Sequence, residues 1–176
     1  MCDGEIELSD RAKSLWGKTN RVDDTEWLPL YVHMADSAAM AARIWDTWVP
    51  YGTKSIISRD LGNDDDLARK LMIFLAGVHD IGKATPVFQA KPISFGPDAE
   101  SLVWKPEQAG LPMIAGLRDT SHPTHPIAGQ VILERYFSLV HKWGGRESRQ
   151  YACVVGGHHG TPPDKSKLES ARLGKT

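Results

Sequence analysis

Two cysteines in 176 residues, Cys2 and Cys153, are too few and too far apart to build a disulfide framework. The fold must stand without cross-links, and a reducing compartment is expected. An excess of either charge is missing too: 21 basic against 22 acidic residues leave a net charge of −1. That balance removes any long-range pull toward nucleic acid or a lipid surface. A contact with DNA or RNA has to come from a local basic patch, from bound cations or from a partner. No apolar run approaches the roughly 20 residues of a membrane span, and Met1-Cys2-Asp3-Gly4-Glu5 is too polar for a secretory leader. A cytoplasmic chain with no membrane partner, monomeric in isolation, is the expectation. Convincing strand alternation is absent, as are internal repeats and low-complexity tracts, so the expected fold class is all-α.

What is present is helical periodicity. A short helix is expected around Leu8 to Trp16. From Pro29 to Val49, the residues Val32, Ala35, Ala39, Ala42 (or Arg43) and Trp45 recur three or four apart, and Pro50-Tyr51-Gly52 closes the run. Asn63-Asp64-Asp65-Asp66 suits the cap and the positive dipole end of the next helix. Its apolar face would be Leu67, Leu71, Phe74 (or Leu75) and Val78, with Gly82 as its stop. His79 and Asp80 would then lie in its last turn. Thr85-Pro86 opens a short helix running to Gln89. Residues 91–121, rich in Pro and Gly, read as an irregular insertion with a helix near Ala109 to Leu117. Thr124-His125-Pro126 opens a strong helix ended by Gly144-Gly145, and Glu147 to Val155 forms a last buried helix stopped by Gly156-Gly157. The charged tail from Lys165 is either helical or frayed. One domain over 1–176 follows, too long a chain to lack a core.

The chemistry lies in the histidines and one aspartate. An aspartate at the apolar end of a helix is costly without a cation or ion-pair partner, and the helix dipole there disfavours an anion. His79-Asp80 therefore calls for positive charge nearby. Lys83 could supply it as a salt bridge; a metal would do so better and leave Lys83 for a phosphate. His33 stands among Ala35, Ala38 and Ala39, small residues that leave room around it. His125 is fixed at a helix start, whereas His122 falls in the preceding loop and His141 near the helix C-terminus, both read as solvated. His158-His159 follows two glycines, which allow a sharp turn close to a site. Imidazole and carboxylate together suit first-row transition metals, and paired cations serve phosphodiester hydrolysis. A metal-dependent phosphohydrolase is the reading these residues support.

The same residues resemble a known family. His33 in Leu30-Tyr31-Val32-His33, His79-Asp80-Ile81-Gly82-Lys83, His125 in His125-Pro126-Ile127-Ala128-Gly129 and His158-His159-Gly160 together resemble the HD superfamily of phosphohydrolases. Lys83, Thr85-Pro86-Val87-Phe88-Gln89 and Gly156-Gly157-His158-His159-Gly160 favour, within it, the HD nuclease domain of the type I CRISPR-associated helicase–nuclease. The likeness spans about Leu28 to Gly160 and implies an HD-domain helical bundle around a buried metal site. It implies that His33, His79 and Asp80 hold one divalent metal. Asp80 would bridge to a second, completed by His125, His158 and His159, and Lys83 would meet the scissile phosphate. Manganese, nickel, cobalt, iron or magnesium is the implied cofactor, and single-stranded DNA the implied substrate. The implied partners are a helicase portion or subunit and an RNA-guided surveillance complex.

Two departures qualify the likeness. The family takes a further Asp from a helix well downstream of the His-His pair, and here Asp164, close behind Pro163, is a weak substitute; a weak first metal site is the expectation. No phosphate loop is present, since Gly174-Lys175-Thr176 lacks the earlier glycine and the following helix. An N-terminal piece of a longer protein, or a separately encoded short nuclease, is expected. A phosphomonoesterase or nucleotidase of the same superfamily, or a module whose metals only brace the fold, remain the other readings. A closed pocket would favour the nucleotidase and an open groove the nuclease.

Overall fold

The computed structural model describes residues 7–20, 26–91, 100–111 and 123–172. The chain divides into two compact units, Met1–His33 with Lys83–His122, and Met34–Gly82 with Pro123–Thr176. The architecture is helical, and no described helix is long and apolar enough to cross a membrane.

In the first unit, α1 (Asp10–Ser14) is capped by the Ser9 hydroxyl, which accepts from the Ala12 amide. It is shorter than the helix expected over Leu8 to Trp16, because Trp16 leaves it to open a strand. β1 (Trp16–Thr19) pairs antiparallel with β2 (Trp27–Pro29), with a register irregularity between Trp16 and Lys18. The all-α expectation holds for the bulk of the fold, and this hairpin is its exception. Strands of 4 and 3 residues are too short to show alternation. Trp16, Phe88 and Leu102 form the buried centre of this unit, with Trp27 against it. Phe88 comes from α5 (Pro86–Gln89), Leu102 from α6 (Glu100–Gln108). α6 ends at Gln108, and most of the helix expected near Ala109 to Leu117 lies outside the described residues.

The helix α2 (Leu30–Thr47) starts in the first unit and continues without a break into the second. Its buried positions are Leu30, His33 and Trp45; Ala35 and Ala39, expected to face inward, are exposed. Small apolar side chains fit either face, so the alanines gave no phase to the stripe. Met40 and Ile44 on α2, and Trp48 just past its end, are exposed. Pro50 does not close a helical run so much as cap the next helix, α3 (Tyr51–Arg59). That helix escapes the sequence pattern because it buries little beyond Ser58.

The second core is built by α4 (Asp65–Gly77), α7 (His125–Leu139) and α8 (Gly145–Gly156). Leu75, Leu133, Phe137, Ala152 and Val155 are its buried members, with Leu71, Phe74, Val78, Ile81 and Tyr151 packed on them. Asp64 caps α4 by accepting from the Leu67 amide, as the acidic run predicts, while Leu67 itself is exposed. Gly77 meets Ala38 of α2, where an added Cβ would stand 3.2 Å from the alanine methyl. α9 (Lys165–Arg172) is held to α7 through Leu168 and through Arg172, whose guanidinium pairs with Glu134; Glu134 also accepts from the buried Gln130 amide. The tail is thus helical through Arg172.

Two corrections bear on the site. Helix α4 stops at Gly77, so His79 and Asp80 lie beyond its last turn, in a tight connection to a 3₁₀ turn at Ile81–Ala84. Gly82 is no helix stop. It is the point where that turn touches α7: a Cβ there would fall 1.8 Å from the His125 carbonyl oxygen and 2.6 Å from the Gly129 nitrogen. Asp164 is not a spare ligand but the cap of α9. It accepts from the Lys167 amide and the Ser166 hydroxyl, and these bonds hold its carboxyl down at about 2.

Gly82→Ala is expected to cost about 3 kcal/mol by overpacking. For a chain of this size that is a fall in melting temperature of roughly 6–12 °C, read by circular dichroism. The Asp164 carboxylate favours the folded helix at any pH above the ordinary 3.8, and that help is lost as pH falls toward about 2. Hydrogen exchange in α9 should therefore accelerate over that acid window, and Asp164→Ala should show the accelerated exchange already at neutral pH.

Candidate metal centre

Two helices deliver histidines in the same way. α4 ends Ala76-Gly77-Val78-His79 and α8 ends Val155-Gly156-Gly157-His158. Each last helical residue is a glycine, and the C-cap residues Val78 (φ −100, ψ 7) and Gly157 (φ −96, ψ 5) have nearly the same backbone. The last carbonyls of a helix lack intrahelical donors. Here imidazoles supply them: Nδ1 of His79 bonds the Ala76 carbonyl at 2.8 Å and Nδ1 of His158 the Val155 carbonyl at 2.6 Å. A carbonyl cannot donate, so the hydrogen is on Nδ1 and Nε2 points away from the helix end.

Both Nε2 atoms point at Asp80. Its Oδ2 lies 3.2 Å from Nε2 of His79, and its Oδ1 lies 3.3 Å from Nε2 of His125 and 3.4 Å from Nε2 of His158. Asp80 is only 4% exposed. His125 reaches it from the first residue of α7, placed by Thr124 at the cap and Pro126 in the first turn. His159 completes a ring cluster, 4.9 Å from His125 and 4.3 Å from His158 between centroids, and is itself exposed.

Ligand atoms fall into two groups. One is His33, His79 and Asp80, with His33 carried on the continuous helix α2; the other is His125, His158 and His159. Within each group the candidate atoms lie within 4.8 Å of one another. The two Asp80 oxygens face different rings, Oδ2 toward His79 of the first group and Oδ1 toward His125 and His158 of the second. The six residues expected to hold metal fall in these two candidate groups. Lys83 is nearby in sequence but buried, its ammonium donating to the Gly17 carbonyl at 3.0 Å and standing 5.5 Å from the Phe88 ring centroid. His141 is a surface residue among Tyr136, Phe137 and Trp143, as expected, and His122 lies outside the described residues.

The donor set fits a divalent cation. Burial pushes the His158 imidazolium down from its ordinary value, and the neighbouring His125 and His79 rings push the same way, against its bond to Val155 and the attraction of Asp80. The ring is neutral at neutral pH. Its Nε2 is buried, makes no hydrogen bond, and directs a lone pair at a carboxylate oxygen. An imidazole nitrogen and a carboxylate oxygen set side by side are donor atoms of the kind that a divalent cation takes. The carbonyl bonds at Nδ1 are the outer-shell supports that ligand histidines use. Gly-x-His after an apolar helix was the signal in the sequence for this device, and it was not read there.

The sequence profile described as "Cas3, HD domain" matches residues 16–175. The chain belongs to this family. It is 35% identical over 154 residues to the CRISPR-associated nuclease/helicase Cas3 of Streptococcus thermophilus, covering 84% of this chain and 16% of that protein. It is 29% identical over 170 residues to the CRISPR-associated endonuclease/helicase Cas3 of Thermus thermophilus, covering 95% of this chain and again 16% of the relative. The chain therefore spans about a sixth of the relatives it matches. A crystal structure of a CRISPR-associated protein superposes with a TM-score of 0.78 at 31% identity, over 93% of this chain and 17% of that one. The Cas3 HD domain likeness and the Asp80-centred ligands agree on a divalent-metal site.

Manganese at a hundredfold excess over its dissociation constant is expected to stabilise the chain by about 2.7 kcal/mol. Asp80→Ala should keep the helical spectrum and lose that metal-dependent rise in melting temperature.

Proposed function

We propose that this domain is a nuclease that hydrolyses phosphodiester bonds of single-stranded DNA in CRISPR interference, with divalent cations held around Asp80. The observation that carries the reading is the buried Asp80 carboxylate with three imidazole Nε2 atoms aimed at it at 3.2–3.4 Å. The relatives' names pair a nuclease with a helicase. A helicase parts duplex strands, so a nuclease in the same polypeptide is handed single strands. The net charge of −1 fits such delivery, because the domain has no long-range attraction of its own for DNA. Delivery by a helicase portion and an RNA-guided surveillance complex belongs to the same proposal.

Bound cations would lower the pKa of a water and offset the charge of the phosphate. The chain's own residues do the holding. His33, His79 and Asp80 would carry one cation, and three protein ligands leave open positions for water and substrate, the arrangement of catalytic sites. Asp80 would share its other oxygen with the second, held by His125, His158 and His159. With Asp164 committed to capping α9, no extra carboxylate joins the first group among the described residues. Manganese, nickel, cobalt, iron and magnesium are the candidates for both. His159, exposed beside the half-buried His158, is the ring that an incoming strand meets. A phosphate contact by Lys83 requires its ammonium to exchange the Gly17 carbonyl for substrate.

Circular single-stranded DNA incubated with manganese or nickel should be linearised and then degraded. Asp80→Ala should reduce that rate by at least roughly 10²–10³-fold, the scale for removing a group that stabilises transition-state charge. Release of phosphate from mononucleotides with circles left intact would favour a nucleotidase instead, and metal binding with neither activity a non-catalytic module.

A further inference from the structure

The two histidine-bearing helix ends share a backbone but not a neighbour. Gly77, the last residue of α4, meets the Ala38 methyl, 3.2 Å from where its Cβ would stand. Gly156, the last residue of α8, meets the side-chain amide of Gln130 from α7. A Cβ at Gly156 would fall 2.0 Å from Gln130 Oε1 and 3.0 Å from its Cδ. The same Cβ would stand 3.0 Å from Cδ of Pro163, and one at Gly157 would stand 2.9 Å from Cγ of Pro162. The chain leading to α9 thus folds back onto the two glycines that precede His158-His159, and Gln130 closes in on them from α7.

Gln130 is 1% exposed. Its Oε1 is buried and has no hydrogen-bond donor among the described residues. An amide oxygen buried without a donor is unfavourable, so the oxygen is not what holds the side chain there. The other end of the amide does. Nε2 donates to Oε1 of Glu134, one turn along α7, at 3.0 Å. Oε2 of Glu134 in turn takes the Arg172 guanidinium from α9. An ionised carboxylate only accepts, so the amide nitrogen is committed to Glu134 and the oxygen is left against Gly156. The contacts run from Arg172 through Glu134 and Gln130 to Gly156, two residues before His158. All of these residues lie in one compact unit, together with His79, Asp80 and His125.

We infer that Gln130, oriented by Glu134 and Arg172, is a positioning residue for the His158-His159 turn: it fixes the glycine end of α8 so that the His158 ring keeps its Val155 bond and directs Nε2 to the centre. For metal affinity the inference rests on the metal reading above; the place of the ring does not need metal. Its consequence is selective. Loss of the Gln130 amide loosens His158 and leaves His79, whose helix ends on an alanine contact, as it was.

Nitrogen-15 NMR of the imidazoles in the metal-free full chain tests it, at a pH well above the ordinary imidazole pKa. Carbonyl bonds at Nδ1 fix the Nδ1–H tautomer, so His79 and His158 should both show it, with His79→Ala and His158→Ala assigning the signals. Gln130→Leu keeps the bulk and removes the amide. With its helical spectrum retained, it should move His158 toward the mixed tautomers of a free imidazole and leave His79 unchanged. In cobalt(II) titration the same variant should weaken the event that His159→Ala removes by about 10–100-fold, the usual cost of losing an outer-shell support. A His158 tautomer that does not move, a change in both rings together, or parental cobalt affinity overturns the inference while the metal site stands. A parent chain that binds no cobalt overturns the metal reading, and the tautomers then decide the inference alone. Should Gln130→Leu fail to fold, Arg172→Ala decides: it frees Glu134 from outside α7, and the same selective change at His158 is expected, with parental tautomers counting against.

Discussion

The arrangement depends on one buried carboxylate, that of Asp80, at which three imidazoles are aimed. Its oxygens face ring nitrogens of His79, His125 and His158, and the His79 and His158 rings are turned toward it by bonds on their far sides. Lys83, the cation that sequence proximity offers, donates to the Gly17 carbonyl. A desolvated carboxylate calls for positive charge and for groups held in place around it.

The helices meet this demand with a repeated local device. A helix ends on glycine, one further residue turns the chain, and a histidine then folds back to close an open carbonyl. Helix termination and ligand orientation are one event. The imidazole satisfies a backbone acceptor that would otherwise need water, and in doing so commits its other nitrogen to the centre. Packing supplies the rest: Val78 and Ile81 flank His79-Asp80 and sit on the same core as Val155, so the two helix ends are held by the apolar cluster from which the ligands project.

Much of this was legible in the residues. The acidic cap of α4, the Thr124-His125-Pro126 start of α7 and the glycines after α8 are local signals that tertiary packing did not override. The six motif residues lie at helix ends or on a buried helical face, and they fall in two candidate ligand groups. What was not legible has physical causes. Strands of 3 and 4 residues leave no periodicity to read. Alanine-rich α2 has too little contrast to set its phase, so Ala35 and Ala39 were placed inward when they are not. α3 buries little and so carries no stripe. Asp164 could be read as a stray carboxylate until Ser166 and Lys167 were seen to bind it. Gly82 looked like a helix stop because glycine serves both as a terminus and as a point of contact, and sequence alone does not separate the two.

That contact of main chain on main chain has a consequence for how such a centre can diversify. Ligand positions are forgiving in kind: a carboxylate or a thiolate can stand where an imidazole does, shifting metal preference by one substitution. Position 82 has no such latitude, because the space beside its Cα belongs to the His125 carbonyl. The residue with no functional group is thereby the less evolvable one, and lineages free to exchange their metal are tied to a hydrogen atom there.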